Sequence, residues 1–169
     1  RGLIVMEKIF HLIDTISVNL GKLFSYLVPV MVIFEVVEVI RRYVFNSPTI
    51  WTWELVTIMF GAHFIMGGAW LIKEDEHVRT DLIFDLFSKK TQALIDLILF
   101  GIFFLIFAIP LSWQTINHAI YSCRIGECTH TQWGPPFYPL KIIIALGFTI
   151  MLLQGIGKII RDLMYVLRN

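Results

Sequence analysis

Residues 67–83 read GGAWLIKEDEHVRTDLI. An apolar run ends at Ile72. Lys73, Glu74, Asp75 and Glu76 follow, then His77 and Arg79, and apolar residues return at Leu82 and Ile83 among charges. A helix that is apolar all round is buried in a large core or in lipid, whereas one with a polar face borders water. The stretch therefore reads as a membrane-spanning helix surfacing into water and giving way to an amphipathic helix. Thr80 can cap that second helix. Leu82, Ile83, Leu86 and Phe87 then share one face, with Asp81 and Asp85 near its start and Lys89 and Lys90 near its end, as the helix dipole favours.

The composition agrees with a lipid environment. Hydrophobic residues make up 57% of the 169, charged residues only 16%, and mean hydropathy is +0.74. Soluble domains carry roughly 45–50% apolar and about 25% charged residues. A net charge of +1 gives no ground for a nucleic-acid partner. A helix needs about 20 apolar residues to cross a hydrocarbon core of ~30 Å. Residues 21–43, 51–72, 94–116 and 138–157 meet that need. β-Barrel strands would be shorter, alternating and more numerous. The expected fold is all-α integral membrane, with residues 1–169 forming a single membrane domain of four spans. Amphipathic in-plane helices are expected at the N-terminus, about 6–20, and between the second and third spans, about 80–92.

From Met6 on, a candidate first residue of the natural chain, Ile9, Phe10, Leu12, Ile13, Ile16 and Leu20 recur at helical spacing against Glu7, Lys8, His11 and Asp14. The pattern fits a helix along the membrane surface or an extension of the first span. Glu7 and Asp14 and the lack of a small-residue cleavage site speak against a secretory signal. Lys and Arg set the orientation. Arg1, Lys8, Lys22, Lys73, Arg79, Lys89, Lys90, Lys158, Arg161 and Arg168 fall on one side, and only Arg41, Arg42, Arg124 and Lys141 on the other. The positive-inside rule puts both termini and the central loop in the cytoplasm. The turn near Asn46 and a loop from Asn117 to Phe137 then face outward. Trp51, Trp53, Trp133, Phe137 and Tyr138 mark the outer boundary, where amphipathic rings are favoured.

Intramembrane charge is costly and marks function by default. Glu38 lies three and four residues before Arg41 and Arg42, the spacing at which helical side chains meet. Glu54 opens the second span on the same side, so Glu38, Arg42 and Glu54 are expected to form an internal ion-pair set. Glu35 has no such partner and is the better candidate for contact with another subunit. His63 is the one histidine deep in a span. A haem b electron-transfer subunit would need a second axial ligand at the same depth. His118 lies about 18 Å away in depth, at 1.5 Å per residue, so a packing role is expected for His63. His77, Arg79 and Asp81 have neither nucleophile nor oxyanion donor beside them. They read as polar anchors: Arg79 to lipid phosphate or a loop carboxylate, Asp81 at a helix start, His77 to backbone.

Gly61, Gly67 and Gly68 would let helices approach closely. Pro110 interrupts the third span, and WGPPFYP (133–139) makes a stiff entry into the fourth. Cys123 and Cys128 are expected in the outer loop. They could close a small disulfide, by loop entropy about 2 kcal/mol, or stay reduced. A zinc site with His118 and His130 matches no common spacing. No nucleophile, phosphate-loop or metal-dyad motif of an enzyme is present.

Three blocks resemble a known family, the small permease subunit of tripartite ATP-independent periplasmic (TRAP) transporters. RRYVFNSPTIWTWEL (41–55) is similar to its Arg-Tyr-x-Phe-Asn and Trp-Thr-x-Glu-Leu. GGAWLIKEDEHVRTDLI (67–83) is similar to its Gly-Ala and His-x-Arg-x-Asp, and GFTIMLLQ (147–154) to its Gly-Phe-x-x-x-Leu-x-Gln. Thr80 departs from the apolar residue common there, and the cysteine-containing loop is not a general feature. The resemblance implies a non-enzymatic subunit of a sodium-coupled secondary transporter for an organic acid, a carboxylate or sulfonate such as sialic acid or a C4-dicarboxylate, in the bacterial inner membrane. Its partners would be a large permease holding the substrate and sodium sites, a periplasmic binding protein docking on the outer face, and membrane phospholipids. The small subunit would bind no cofactor and would scaffold the large one. Trp51, His77, Arg79 and Asp81 join Glu35, Glu38, Arg42 and Glu54 as structural or interface candidates.

Overall fold

A computed structural model describes residues 2–73 and 89–168. Its elements are all helices: α1 (Gly2–Ser25), α2 (Leu27–Tyr43), α3 (Thr52–Lys73), α4 (Lys89–Ile125) and α5 (Tyr138–Arg168). Among the described residues four stretches are long and apolar enough to cross a membrane: Phe10–Tyr43, Thr52–Lys73, Gly101–Ile125 and Tyr138–Met164. In lipid every backbone N–H and C=O must be satisfied within the chain, which is why such runs become helices.

Only Tyr26 separates α1 from α2, and its φ of −66° and ψ of −13° keep the chain turning in the helical sense. The cause of the break is Pro29. It has no N–H to donate, and its ring crowds the carbonyl one turn back. At the third position of α2 the missing donor costs little, because first-turn N–H groups have no intrahelical partner. His63 Nδ1, on α3, lies 3.1 Å from the Phe24 carbonyl beside this break. The intramembrane histidine thus ties a neighbouring backbone, the packing role expected of it.

Residues 6–20 belong to α1, whose part from Phe10 on falls within the apolar stretch Phe10–Tyr43. α1 packs on α3 and α5 and runs on into α2. The in-plane helix expected over about 80–92 lies outside the described residues as far as Ser88. α4 then starts at Lys89 and continues to Ile125, nine residues beyond the expected end of the third span. The connection between α4 and α5 is correspondingly shorter than the loop expected over 117–137, and Cys123 lies on the helix rather than in that loop. α5 also runs eleven residues past the expected limit, to Arg168. Both extensions have one source. Hydropathy marks where lipid ends, but a helix whose polar residues reach water has no reason to stop there.

α4 packs on α5, α5 on α3, and α3 on α2. The described spans thus stand in an open row, α2–α3–α5–α4, with α1 laid against α3 and α5. Close approach along the row is set by two glycines of α5. A Cβ at Gly147 would stand 2.1 Å from Ile65 Cγ2 of α3, and one at Gly155 would stand 2.0 Å from the Phe104 ring of α4. Gly61, Gly67 and Gly68, singled out from sequence, matter less. A Cβ at Gly61 would make ordinary contact, one at Gly67 would meet nothing within 4 Å, and one at Gly68 would meet only the flexible end of Met151.

Candidate functional site

Polar side chains collect at the two ends of the row. At the end carrying the α2–α3 and α4–α5 connections, Glu38 is 6% exposed although it belongs to a lipid-spanning helix. Arg42, one turn on, donates to Glu38 Oε1 at 2.6 Å. The Thr49 backbone N–H and hydroxyl donate to Oε2 at 3.1 and 2.5 Å, and Thr49 Oγ1 lies 2.6 Å from Thr52 Oγ1. One carboxylate therefore fastens the end of α2 to the start of α3. A buried charge is tolerable when it is paired and its lone pairs are filled, and both conditions hold. Asn46, at φ 49°, makes the left-handed turn between them, and the Arg41 guanidinium donates to the Ser47 carbonyl at 3.3 Å.

Glu54 does not join this set. Its Oε2 accepts from Thr129 Oγ1 at 3.2 Å, across to the α4–α5 connection. The expected trio is thus a Glu38–Arg42 pair completed by Thr49, and Glu54 serves a second tether. Trp51 meets Phe34 edge to face, with centroids 5.8 Å apart. Glu35 is half-buried and makes no hydrogen bond or ion pair among the described residues. His77, Arg79 and Asp81 lie outside the described residues.

The α4–α5 connection has its own internal order. Gly126, at φ +60°, ends α4. The Glu127 N–H reaches the Ser122 carbonyl at 3.0 Å and the Gly126 N–H reaches that of Cys123 at 3.4 Å. This is the paired closure of a Schellman cap. Phe137 N–H then donates to the Glu127 carbonyl and Thr129 N–H to that of Pro135, pairing Cys128 with Pro136. Lys141 on α5 donates to Glu127 Oε2 at 2.5 Å, and its ammonium holds the Glu127 carboxyl below the usual carboxylate range. Cys123 and Cys128 are free, exposed thiols.

At the other end α1 is fastened to α5. Gln154 Nε2 donates to Ser17 Oγ at 2.8 Å, both residues fully buried, and Ser17 Oγ donates on to the Ile13 carbonyl. Arg161 donates to Asp14 Oδ2 at 3.1 Å and lies over the Phe10 ring. Lys158 is buried nearby. None of Ser17, Asp14, Thr49, Glu127, Lys141 or Arg161 stands out in the sequence as a tether, because each partner is distant in the chain. Gly147, Gln154 and Gly155 did carry a signal, since spacings of seven and eight put them on one helix face.

Among the described residues no group of three or more His, Cys, Asp or Glu side chains could hold a metal. Each polar cluster fastens one helix to another.

The family model for the DctQ component of tripartite ATP-independent periplasmic transporters matches residues 31–164. The chain belongs to the DctQ family. The match starts in α2 and ends in α5, so it takes in the Glu38 tether, the α4–α5 connection and the Gly147–Gly155 face. DctQ is the small component of the TRAP systems, and this member is a multi-pass membrane protein. No curated protein matches the chain.

Proposed function

We propose that this DctQ chain is the fixed scaffold of a sodium-coupled TRAP transporter for an organic acid and is not itself an enzyme. It widens and anchors a large permease that holds the substrate and sodium sites, and it binds no cofactor of its own. A periplasmic binding protein docks on the end that carries the 44–51 and 126–137 connections, which faces outward from a bacterial inner membrane. Both termini are cytoplasmic. The observation that supports this reading is the open row. Helices standing α2–α3–α5–α4 enclose no lumen among the described residues. Glu38, His63 and Gln154 are engaged within the chain rather than lined up along a path: Glu38 by Arg42 one turn on and by Thr49, His63 by the Phe24 carbonyl, Gln154 by Ser17. Such a body supports transport by another chain.

The same order of helices leaves α2 as an edge. Among the described residues α2 packs only on α3 and, at its start, on α1, and Val32, Ile33, Val36 and Val39 are exposed. Glu35 stands on this edge helix, and the large permease covers it there. His77, Arg79 and Asp81 fix the turn that follows α3 at the cytoplasmic surface.

The test is reconstitution. Liposomes holding this chain alone should take up no organic acid under a sodium gradient. Adding the large permease and the binding protein should restore uptake. Sodium-driven uptake by the chain alone would refute the scaffold reading.

A further inference from the structure

Between α4 and α5, toward the end with the outer connection, the helices leave a groove of about 510 Å³. Its floor is Ala119 and Ala145, both buried, and its rim includes Ile120, Ile142 and Leu146. Small residues under branched ones make a trough where a uniform row of leucines would make a wall. The lining is almost wholly apolar, so water, which needs two to four polar partners, has no reason to fill it. Left empty, the trough would forfeit the contacts of every group that faces it.

Arg124 closes the groove at its upper end. It lies in the last turn of α4, one helical turn past Ile120, and is exposed. It makes no ion pair or hydrogen bond among the described residues. The cation is therefore available near the start of α5, whose Ile142 shares the groove lining with it. From Arg124 the trough runs down α4 to Ile116, about 12 Å at 1.5 Å per residue.

We propose that this groove is a phospholipid site, with one acyl chain lying over Ala119 and Ala145 and the headgroup phosphate held by Arg124. The charge decides the occupant. A permease helix would place apolar or small side chains opposite an unpaired guanidinium, whereas a phospholipid brings its own anion on the same molecule that fills the trough. A guanidinium also matches a phosphate in bidentate geometry. The proposal does not depend on the scaffold reading, because it concerns the other edge of the row.

The full chain would be reconstituted in vesicles of phosphatidylethanolamine and phosphatidylglycerol carrying a trace of phosphatidylglycerol with a diazirine midway along one acyl chain. After illumination, labelled peptides are mapped by mass spectrometry. Labelling should concentrate on Ile116, Ile120 and Leu146 relative to the exposed valines of α2. Arg124→Gln should lower groove labelling about five-fold, since one basic group at the interface is worth about 1 kcal/mol. Ala145→Leu, which fills the trough, should lower it with Arg124 intact. Circular dichroism of each variant, and unchanged labelling of α2, separate loss of the site from loss of the fold. Equal labelling of the groove and the α2 face, or no response to either substitution, would overturn the proposal. So would protection of the groove in the assembled transporter by a permease helix cross-linked to Cys123.

Discussion

Gln154 and Ser17 lie 137 residues apart in sequence and share a 2.8 Å hydrogen bond with neither side chain exposed. The bond joins the last helix to the first and lies where lipid offers no alternative partner. Ser17→Ala should leave the Gln154 amide unsatisfied and destabilise the chain by about 1–2 kcal/mol. Adding Gln154→Leu should recover part of that loss, because replacing both partners removes the orphaned donor. Detergent-titration unfolding of the single and double variants measures the difference, and a double variant no better than the single would contradict the account.

Gly155→Ala should be among the most disruptive of the conservative changes. Its Cβ would fall 2.0 Å from the Phe104 ring, so α4 and α5 must part or the ring must turn. Overpacking of this kind costs about 1–3 kcal/mol. Gly67→Ala, whose Cβ would meet nothing within 4 Å, is the control and should be neutral or slightly stabilising. Thermal denaturation monitored by size-exclusion chromatography distinguishes them, and equal midpoints would count against the glycine contacts.

Glu38→Ala should release the turn between α2 and α3. Thr49 would lose the acceptor of both its backbone N–H and its hydroxyl, and Arg42 would lose its partner. Faster amide exchange over residues 45–52, with α5 unchanged, is the expected readout. Arg42→Ala alone should do less, since Arg42 is half in solvent and the Thr49 contacts survive.

The Glu127–Lys141 clasp predicts a pH dependence. The Glu127 carboxyl is held below its ordinary value, chiefly by the Lys141 ammonium. A depressed folded-state value means that the stabilisation is fully present above the unfolded carboxyl value. It is lost as pH falls through the lowered one. Between neutral pH and the usual carboxylate range the 126–137 connection should keep its protection against amide exchange, and below that range it should loosen. Glu127→Gln should abolish the acid response. A connection equally protected at low and neutral pH would show that the clasp is idle.

If α2 is the edge facing the large permease, Glu35→Ala should reduce co-purification of that permease more than Arg124→Ala does. Arg124 is on α4, at the far edge of the row. Affinity capture from mild detergent compares the two, and equal yields would remove α2 as the assigned interface.

The four spans were legible because lipid imposes a single requirement, a long apolar run, and the sequence states it openly. The bridging role of Glu38 was half legible. Its partner at Arg42 follows from helical spacing, while Thr49 reaches it through a turn whose left-handed Asn46 no periodicity announces. Glu54 was assigned to the wrong neighbour for the same reason. Its distance to Arg42 along the sequence is short, but the α4–α5 connection folds over it and Thr129 takes the carboxylate. The glycines show the limit most directly. Gly61, Gly67 and Gly68 in α3 drew attention, yet whether a glycine matters depends on what the facing helix puts opposite. Ile65 and Phe104 are known as those neighbours only once α3, α4 and α5 are side by side.

The α4–α5 connection is capped by Gly126, laced by Phe137 to Glu127 and Thr129 to Pro135, and tied to α3 through Glu54. Its tip near Gln132 therefore cannot swing independently of three helices. A spectroscopic reporter placed there would behave as a fiducial for the tilt of the whole layer. Any angular change it registered during a transport cycle would be a rocking of the assembly and not the wagging of a loop.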